Sequence, residues 1–138
     1  MLPRIIKATS LKEVLTPEGC FIYENCGIST GDPTVSIARA RVEPGVTTKA
    51  HHLDGIQEIY LIVKGKGRVD IEGLKPAEVV EGDIVVIPSG KSQQITNVGK
   101  TDLLFYCVCT PSFMQNRYFE EKTEKSSQQA KNITYFKD

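Results

Sequence analysis

The stretch GVTTKAHHLDGIQEIYLIVKG, residues 45–65, contains both histidines of the 138-residue chain, and they are adjacent. Glu58 follows the first of them, His51, by seven residues, and a glycine stands at each end of the stretch. Histidine and glutamate are common metal ligands and also common acid–base groups. The stretch therefore raises the question of whether these side chains form a metal site, the remains of one, or part of an ordinary folded core.

Short apolar segments separated by Gly and Pro recur on both sides of this stretch. They are rich in Val, Ile and Tyr, and no stretch before Pro111 has a helical period, so the pattern predicts an all-β sandwich or barrel. The segments are CFIYE (20–24), TVSIARARV (34–42), EIYLIVKG (58–65), GRVDIEG (67–73), AEVV (77–80), IVVIP (84–88), QQITN (93–97) and LLFYCVC (103–109).

The length fits one domain, and three regions are expected within it. Residues 34–110 should form the barrel, and residues 1–33 should add N-terminal strands and a loop to it. Residues 111–138 change in character: SFMQNRYFEEKTEK predicts a short helix with Ser112 as a possible N-cap, followed by a polar tail.

A second stretch, GDIVVIPSGKSQQITN (residues 82–97), also combines glycines with apolar segments of strand length. Together the two stretches resemble the two motifs of the cupin superfamily, G(x)5HxH(x)4E(x)6G and G(x)5PxG(x)2H(x)3N. The matching residues are Gly45, His51, Glu58, Gly65, Gly82, Pro88, Gly90 and Asn97. The resemblance implies a double-stranded β-helix, or jelly-roll, cupin barrel, which can enclose a small ligand.

Two positions depart from the family pattern, because Leu53 and Gln93 stand where it has histidine. In most cupins the residues at the four motif positions are three histidines and a glutamate that hold one divalent metal ion. Leucine cannot ligate a metal, and the amide oxygen of glutamine is a weaker donor than imidazole. The departures therefore change the expected chemistry and leave the scaffold intact.

Two interpretations of the site remain open. In one, His51, Glu58 and Gln93 still bind a divalent ion (Fe, Mn, Ni or Zn), with His52 or Asp54 as substitute ligands if the strand bulges at Asp54. In the other, the metal has been lost, and the same three side chains form a hydrogen-bonded polar pocket. Strand alternation then predicts that Leu53 points inward with His51, and that His52 points outward.

The expected ligand pocket consists of His51, Glu58, Tyr60 and Gln93. We expect it to hold a small polar metabolite, sugar-like or a carboxylate. The alternative is a metal-dependent enzyme of the isomerase, lyase or dioxygenase type. If the protein catalyses a reaction without a metal, His51 and Glu58 are the natural acid–base pair. Whether it is an enzyme stays open.

Three further residues can be interpreted in two ways. Arg39 and Arg41 alternate on one face of a strand, which either is a solvated outer face or points inward and binds an anion. Asn97 stands at a strand end, where it is expected to support the turn. The cysteines Cys20, Cys26, Cys107 and Cys109 have no CxxC spacing and are expected to be reduced, buried side chains.

Composition limits the possible partners. Lys plus Arg and Asp plus Glu number 17 each, so no net basic field indicates nucleic acid or an anionic membrane. The apolar runs are far shorter than the ~20 residues of a spanning helix. The N-terminus lacks a signal-peptide pattern, and no DNA-binding helical domain is present, so a cytoplasmic, stand-alone protein is expected. The resemblance also implies a homodimer, with residues 5–8 (IIKA) or 133–136 (ITYF) as exchanged terminal segments.

Overall fold

The computed structural model describes residues 2–121, which form two antiparallel β-sheets and three short 3-10 helices. The strands are β1 (Val14–Leu15), β2 (Phe21–Cys26), β3 (Ser36–Val42), β4 (His51–Leu53), β5 (Gln57–Lys64), β6 (Lys66–Ile71), β7 (Ala77–Val80), β8 (Ile84–Ile87), β9 (Gln93–Asn97), β10 (Leu103–Thr110) and β11 (Tyr118–Glu120). The 3-10 helices are Ala8–Ser10, Ile28–Thr30 and Gln115–Arg117. The all-β prediction is confirmed.

The chain passes back and forth between the two sheets. The first has the order β1-β2-β3-β10-β5-β8 and the second the order β11-β4-β9-β6-β7. Thus β4 and β5 lie in different sheets although only a short turn separates them. Each of the two stretches quoted above, residues 45–65 and 82–97, contributes one strand to each sheet, and these strands pair with each other as β4 with β9 and β5 with β8.

The inner faces of both sheets are apolar. The main core cluster includes the fully buried residues Val42, Ile62, Ile87, Ile95 and Leu103. A smaller cluster contains Leu53, Ile56 and Cys109, with Phe113 and Tyr118 packed against it. Buried and more exposed positions alternate in strands such as β8 and β9, because successive side chains of a strand point to opposite faces.

The segment after Pro111 is not the expected α-helix in its described part. Residues 115–117 form a single 3-10 turn, and β11 follows it and pairs with β4. The hydroxyl of Ser112 is buried and donates to the carbonyl of Asp32 instead of capping a helix. Tyr118 and Phe119, which belong to the segment expected to be helical, lie in β11 instead. Pairing with the edge strand β4 satisfies more backbone groups than an isolated short helix would.

Arg39 and Arg41 lie on the outer face of the first sheet. Their side chains reach Glu13 at 3.0 Å each, and they stack on the rings of Tyr23 and Phe21, respectively. The guanidinium of Arg41 lowers the pKa of Glu13 by hydrogen bonding. The outer-face interpretation is therefore correct, and neither arginine faces the interior.

Asn97 supports a turn, as expected. It is 1% exposed. Its amide donates to the carbonyls of Val42 and Thr101, and its side-chain oxygen accepts from the N–H of Gly99. The four cysteines are all free thiols, and Cys20 and Cys109 are buried.

Gly65 and Gly73 have the same backbone conformation but differ in how closely other atoms approach them. Substituting each one therefore distinguishes the cost of the conformation from the cost of crowding. Both have a φ of +92°, a conformation that an L side chain adopts at a cost of about 1 kcal/mol. A Cβ on Gly65 would lie 2.8 Å from the carbonyl oxygen of Asp102, whereas a Cβ on Gly73 would meet no atom within 4 Å.

We therefore expect Gly73→Ala to lower the free energy of unfolding by about 1 kcal/mol, and Gly65→Ala to lower it by about 1–2 kcal/mol more. Urea denaturation of both variants measures the difference. Equal losses would show that the approach of Asp102 imposes no constraint at Gly65.

Candidate functional site

A cavity of about 200 Å³ lies between the two sheets. Its volume corresponds to about seven water molecules. The polar side chains around it are Thr16, Glu18, Glu24, Ser36, Thr48, His51, Glu58, Tyr60, Gln115 and Tyr118. The thiols of Cys20, Cys107 and Cys109, the residues Leu53, Ile95, Phe105 and Phe113, and several smaller apolar groups complete the wall. A small number of polar groups in an apolar wall is typical of a small-molecule site.

His51 is buried in the wall of this cavity. Its Nδ1 lies 3.0 Å from the carbonyl oxygen of Lys49. Because a carbonyl only accepts, Nδ1 carries the proton and Nε2 has the free lone pair. The ring stacks on Tyr118 with 4.7 Å between centroids. Burial lowers the pKa of His51, so the neutral form of the imidazole is favoured.

Glu58 faces the same cavity from β5 and is 7% exposed. Its Oε2 lies 3.6 Å from the thiol of Cys109, but its Oε1 is buried without a hydrogen-bonding partner among residues 2–121. Burial raises the pKa of Glu58, while His51 and the Gln93 amide act in the opposite direction. A buried carboxyl oxygen with no partner is costly unless a ligand, a water or a proton satisfies it.

Tyr60 lines the cavity as expected, but Gln93 does not. Gln93 is 1% exposed and lies behind Tyr60, whose hydroxyl donates to its side-chain oxygen. The prediction that Gln93 lines the pocket is therefore wrong. The long tyrosine side chain reaches across the barrel and covers the amide, which acts on the cavity only through Tyr60 and Glu58.

The suggested substitute ligands, His52 and Asp54, are outside the cavity. Strand alternation persists through Leu53, so the side chain of His52 points outward, with its Nδ1 2.6 Å from Glu121 Oε1. Asp54 is exposed and lies 3.8 Å from Arg117. The hypothesis that a bulge turns either residue inward is wrong, because the turn begins only after Leu53 has paired with Tyr118.

Sequence reasoning missed two groups of cavity residues. Glu18 comes from the turn before β2, and Gln115 and Tyr118 come from the segment after the barrel. None of them belongs to the two motifs, and no local pattern distinguishes Glu18 from a surface glutamate. Cys107 and Cys109 stand two residues apart in β10 and so share one strand face, and both thiols line the cavity.

The family model for the cupin domain matches residues 38–109, just over half of the chain. The chain is a member of the cupin family. This cupin is 38% identical over 71 residues to the oxalate-binding protein of Thermotoga maritima, a match that covers 51% of this chain and 58% of that protein. It is 32% identical over 114 residues to protein MJ1618 of Methanocaldococcus jannaschii, covering 80% of this chain and 90% of the relative.

A solved structure has the same fold. The crystal structure of a predicted oxalate decarboxylase from Thermotoga maritima superposes with a TM-score of 0.68 and 24% identity, covering 78% of this chain and 99% of that chain. At this identity the likeness shows the double-stranded β-helix fold alone.

None of the helices in the described residues is long and apolar enough to cross a membrane.

The metal ion common in the family does not fit the residues at this site. Leu53 is 3% exposed and fills one ligand position with a side chain that cannot ligate. The oxygen of Gln93 is already bonded to Tyr60. His51 and Glu58 thus supply one nitrogen and one carboxylate, and the described residues contain no group of three His, Cys, Asp or Glu side chains arranged for a metal.

Proposed function

We propose that this cupin binds a small polar metabolite inside its barrel, in direct contact with His51 and Glu58. The observation that carries the proposal is the unpartnered Oε1 of Glu58, buried at the edge of a cavity large enough for a ligand. The lone pair of His51 Nε2 provides a second acceptor. Both groups match a ligand that donates hydrogen bonds.

A carboxylate ligand is disfavoured by charge. Glu18 and Glu58 both line the cavity, and no Lys or Arg is among the described residues around it. The name of the Thermotoga maritima relative says that it binds oxalate. Here a dianion would be desolvated beside two carboxyl groups without a cation to offset it. The sugar-like class of ligand is therefore the better fit.

The two adjacent histidines give a matched test of this site. His51 lines the cavity and His52 points away from it. With a bound polyol or amine found by ligand-observed NMR, we expect His51→Ala to weaken binding at least tenfold, the loss of about one hydrogen bond to a desolvated acceptor. His52→Ala should leave affinity within about twofold.

Oxalate and succinate, added to the same screen, should show weaker binding than neutral or cationic compounds. Tight oxalate binding that does not respond to His51→Ala would refute the proposed site.

A second candidate function is proton transfer at the same two residues. Burial moves the pKa of His51 down and that of Glu58 up. A neutral imidazole with a free Nε2 is a base, and a protonated carboxyl group is an acid, so the pair supports isomerase or lyase chemistry. The test is turnover of a bound ligand. Glu58→Gln, which keeps the shape but cannot supply a proton, should abolish turnover even at a ligand concentration that saturates the variant.

We also propose a homodimer, supported by an exposed apolar patch on the first sheet. The patch consists of Leu61, Val63, Ile84 and Val86, which are 36–53% exposed. Leu61 pairs with Ile84 across the strands β5 and β8, and β8 is an edge strand. Contiguous apolar surface at a sheet edge is typical of an interaction site.

Light scattering at micromolar concentration should give twice the mass of one chain. We expect Ile84→Lys to produce monomers and Val80→Lys, at an exposed valine of the other sheet, to leave the dimer intact. A wild-type monomer at these concentrations would contradict the proposal. The segment 5–8 forms no strand, and residues 133–136 lie outside the described part of the chain.

A further inference from the structure

Glu18 is a cavity residue that lies outside both cupin motifs. Its side chain is 13% exposed, and its Oε2 lies 3.4 Å from Nδ1 of His51. A turn holds it in place: Gly19 N–H donates to Thr16 O at 3.0 Å, and Lys49 N–H donates to Glu18 O at 2.9 Å. The turn is anchored to the segment that leads into β4, so Glu18 is held beside the imidazole.

Three glutamates, Glu18, Glu24 and Glu58, line the cavity, and among the described lining residues there is no Lys or Arg. The carboxyl group of Glu24 accepts a hydrogen bond from Ser29. Among residues 2–121, the only basic group that lines the cavity is His51, whose protonated form is disfavoured by burial. Oε1 of Glu58 lacks a hydrogen-bonding partner in the described chain. A buried carboxylate is stabilised only when a cation or hydrogen-bond donors reach it.

Gln115 brings a hydrogen-bond donor to the cavity, whereas Glu18 and Glu58 bring acceptors. Its side chain lines the cavity, and its Nε2 is buried without an acceptor in the described residues. An amide N–H in this position needs an oxygen atom. The cavity thus combines acceptors, Glu18 and Glu58, with one unsatisfied donor.

We propose that the ligand is a small amino alcohol or amino sugar, whose ammonium group contacts Glu18 and Glu58 and whose hydroxyl oxygen accepts from Gln115. The inference rests on the proposed ligand-binding function and specifies its chemical class. An ammonium group has three N–H donors, and its charge stabilises the ionised form of both carboxyl groups, whose pKa values burial raises. A neutral polyol of the same shape makes hydrogen bonds there but does not stabilise that form.

A matched pair of compounds tests the charge preference. 3-Amino-1,2-propanediol and glycerol differ by one ammonium group in place of one hydroxyl, and a primary aliphatic amine, like that of lysine (pKa ~10.4), stays protonated at pH 7. Ligand-observed NMR titrations at pH 7 give both dissociation constants for the wild type, for Glu18→Gln, and for Glu121→Gln. Glu121 is a control carboxylate that pairs with His52 outside the cavity.

We expect the wild type and Glu121→Gln to bind the amine at least tenfold more tightly than glycerol. Glu18→Gln should reduce this preference to less than about threefold, because it weakens amine binding more than glycerol binding, an effect that a general structural defect would not produce. Equal binding of the two compounds, or an unchanged preference in Glu18→Gln, would overturn the ammonium inference and leave the proposed binding site standing. Binding of neither compound would overturn both.

Discussion

Replacing Leu53 and Gln93 together by histidine is expected to give this cupin a divalent metal ion at close to one equivalent, compared with less than about a tenth of an equivalent in the wild type. The double variant would place three imidazoles and the Glu58 carboxylate at the four motif positions. Three nitrogen donors and one carboxylate are a sufficient ligand set for Zn, Fe, Mn or Ni, whereas His51 and Glu58 alone are not. Residue 53 points inward, and residue 93 pairs directly opposite His51 across β4 and β9, so both positions lie beside His51.

Elemental mass spectrometry of tag-free protein, purified without chelator, measures the metal content. His51→Ala in the double-variant background should abolish the gain, which distinguishes a rebuilt site from surface binding. Near-stoichiometric metal in the wild type that His51→Ala and Gln93→Ala both reduce would contradict the expectation. It would instead favour the metal-dependent isomerase, lyase or dioxygenase alternative.

The second large effect is the pH dependence of stability that Glu18 introduces. Burial raises the pKa of Glu18 from 4.5 to about 7, with a smaller contribution from the charge of Glu120 and an opposing one from the Cys20 thiol. Below pH 4.5 the carboxyl group is protonated in both the folded and the unfolded chain and has no effect. Between these values the folded protein retains a proton that the unfolded chain has lost, so stability decreases as the pH rises.

Glu18→Gln should remove this decrease. The variant cannot ionise, so at pH 4.5 it should be about as stable as the wild type. Above pH 7 it should be more stable by about 3 kcal/mol, the equivalent of the shift of the pKa at 1.36 kcal/mol per unit. His51 and Glu58 also titrate in the cavity and remain in the variant. The charge of Glu18 is one cause of the raised pKa of Glu58, so the difference between the two proteins reports Glu18 together with its interaction with Glu58.

Urea denaturation of both proteins between pH 4.5 and pH 8 gives the two curves, with Glu121→Gln as the control that should follow the wild type. Curves that run parallel across this range would show that the carboxyl group of Glu18 is not desolvated in the folded protein.

The fold followed from the sequence because it depends on local rules. Apolar segments of strand length between Gly and Pro turns identified eight strands, since alternation and turn geometry act within a few residues. The glycines and the proline at fixed spacing resemble the cupin motifs, and that resemblance implied the barrel. Alternation from His51 also predicted the inward side chain of Leu53 and the outward side chain of His52, which a three-residue strand confirms.

The tertiary structure decided the composition of the site. The sequence placed Gln93 in the pocket, but Tyr60, which reaches across from the opposite sheet, covers it. Glu18 and Gln115 reach the cavity from segments 33 residues before and 64 residues after His51. Their chemistry depends on burial and on the absence of a cation among the described lining residues. These are properties of the assembled interior, where desolvation and long-range packing set the pKa values and the unsatisfied hydrogen-bonding groups, and no local pattern encodes them.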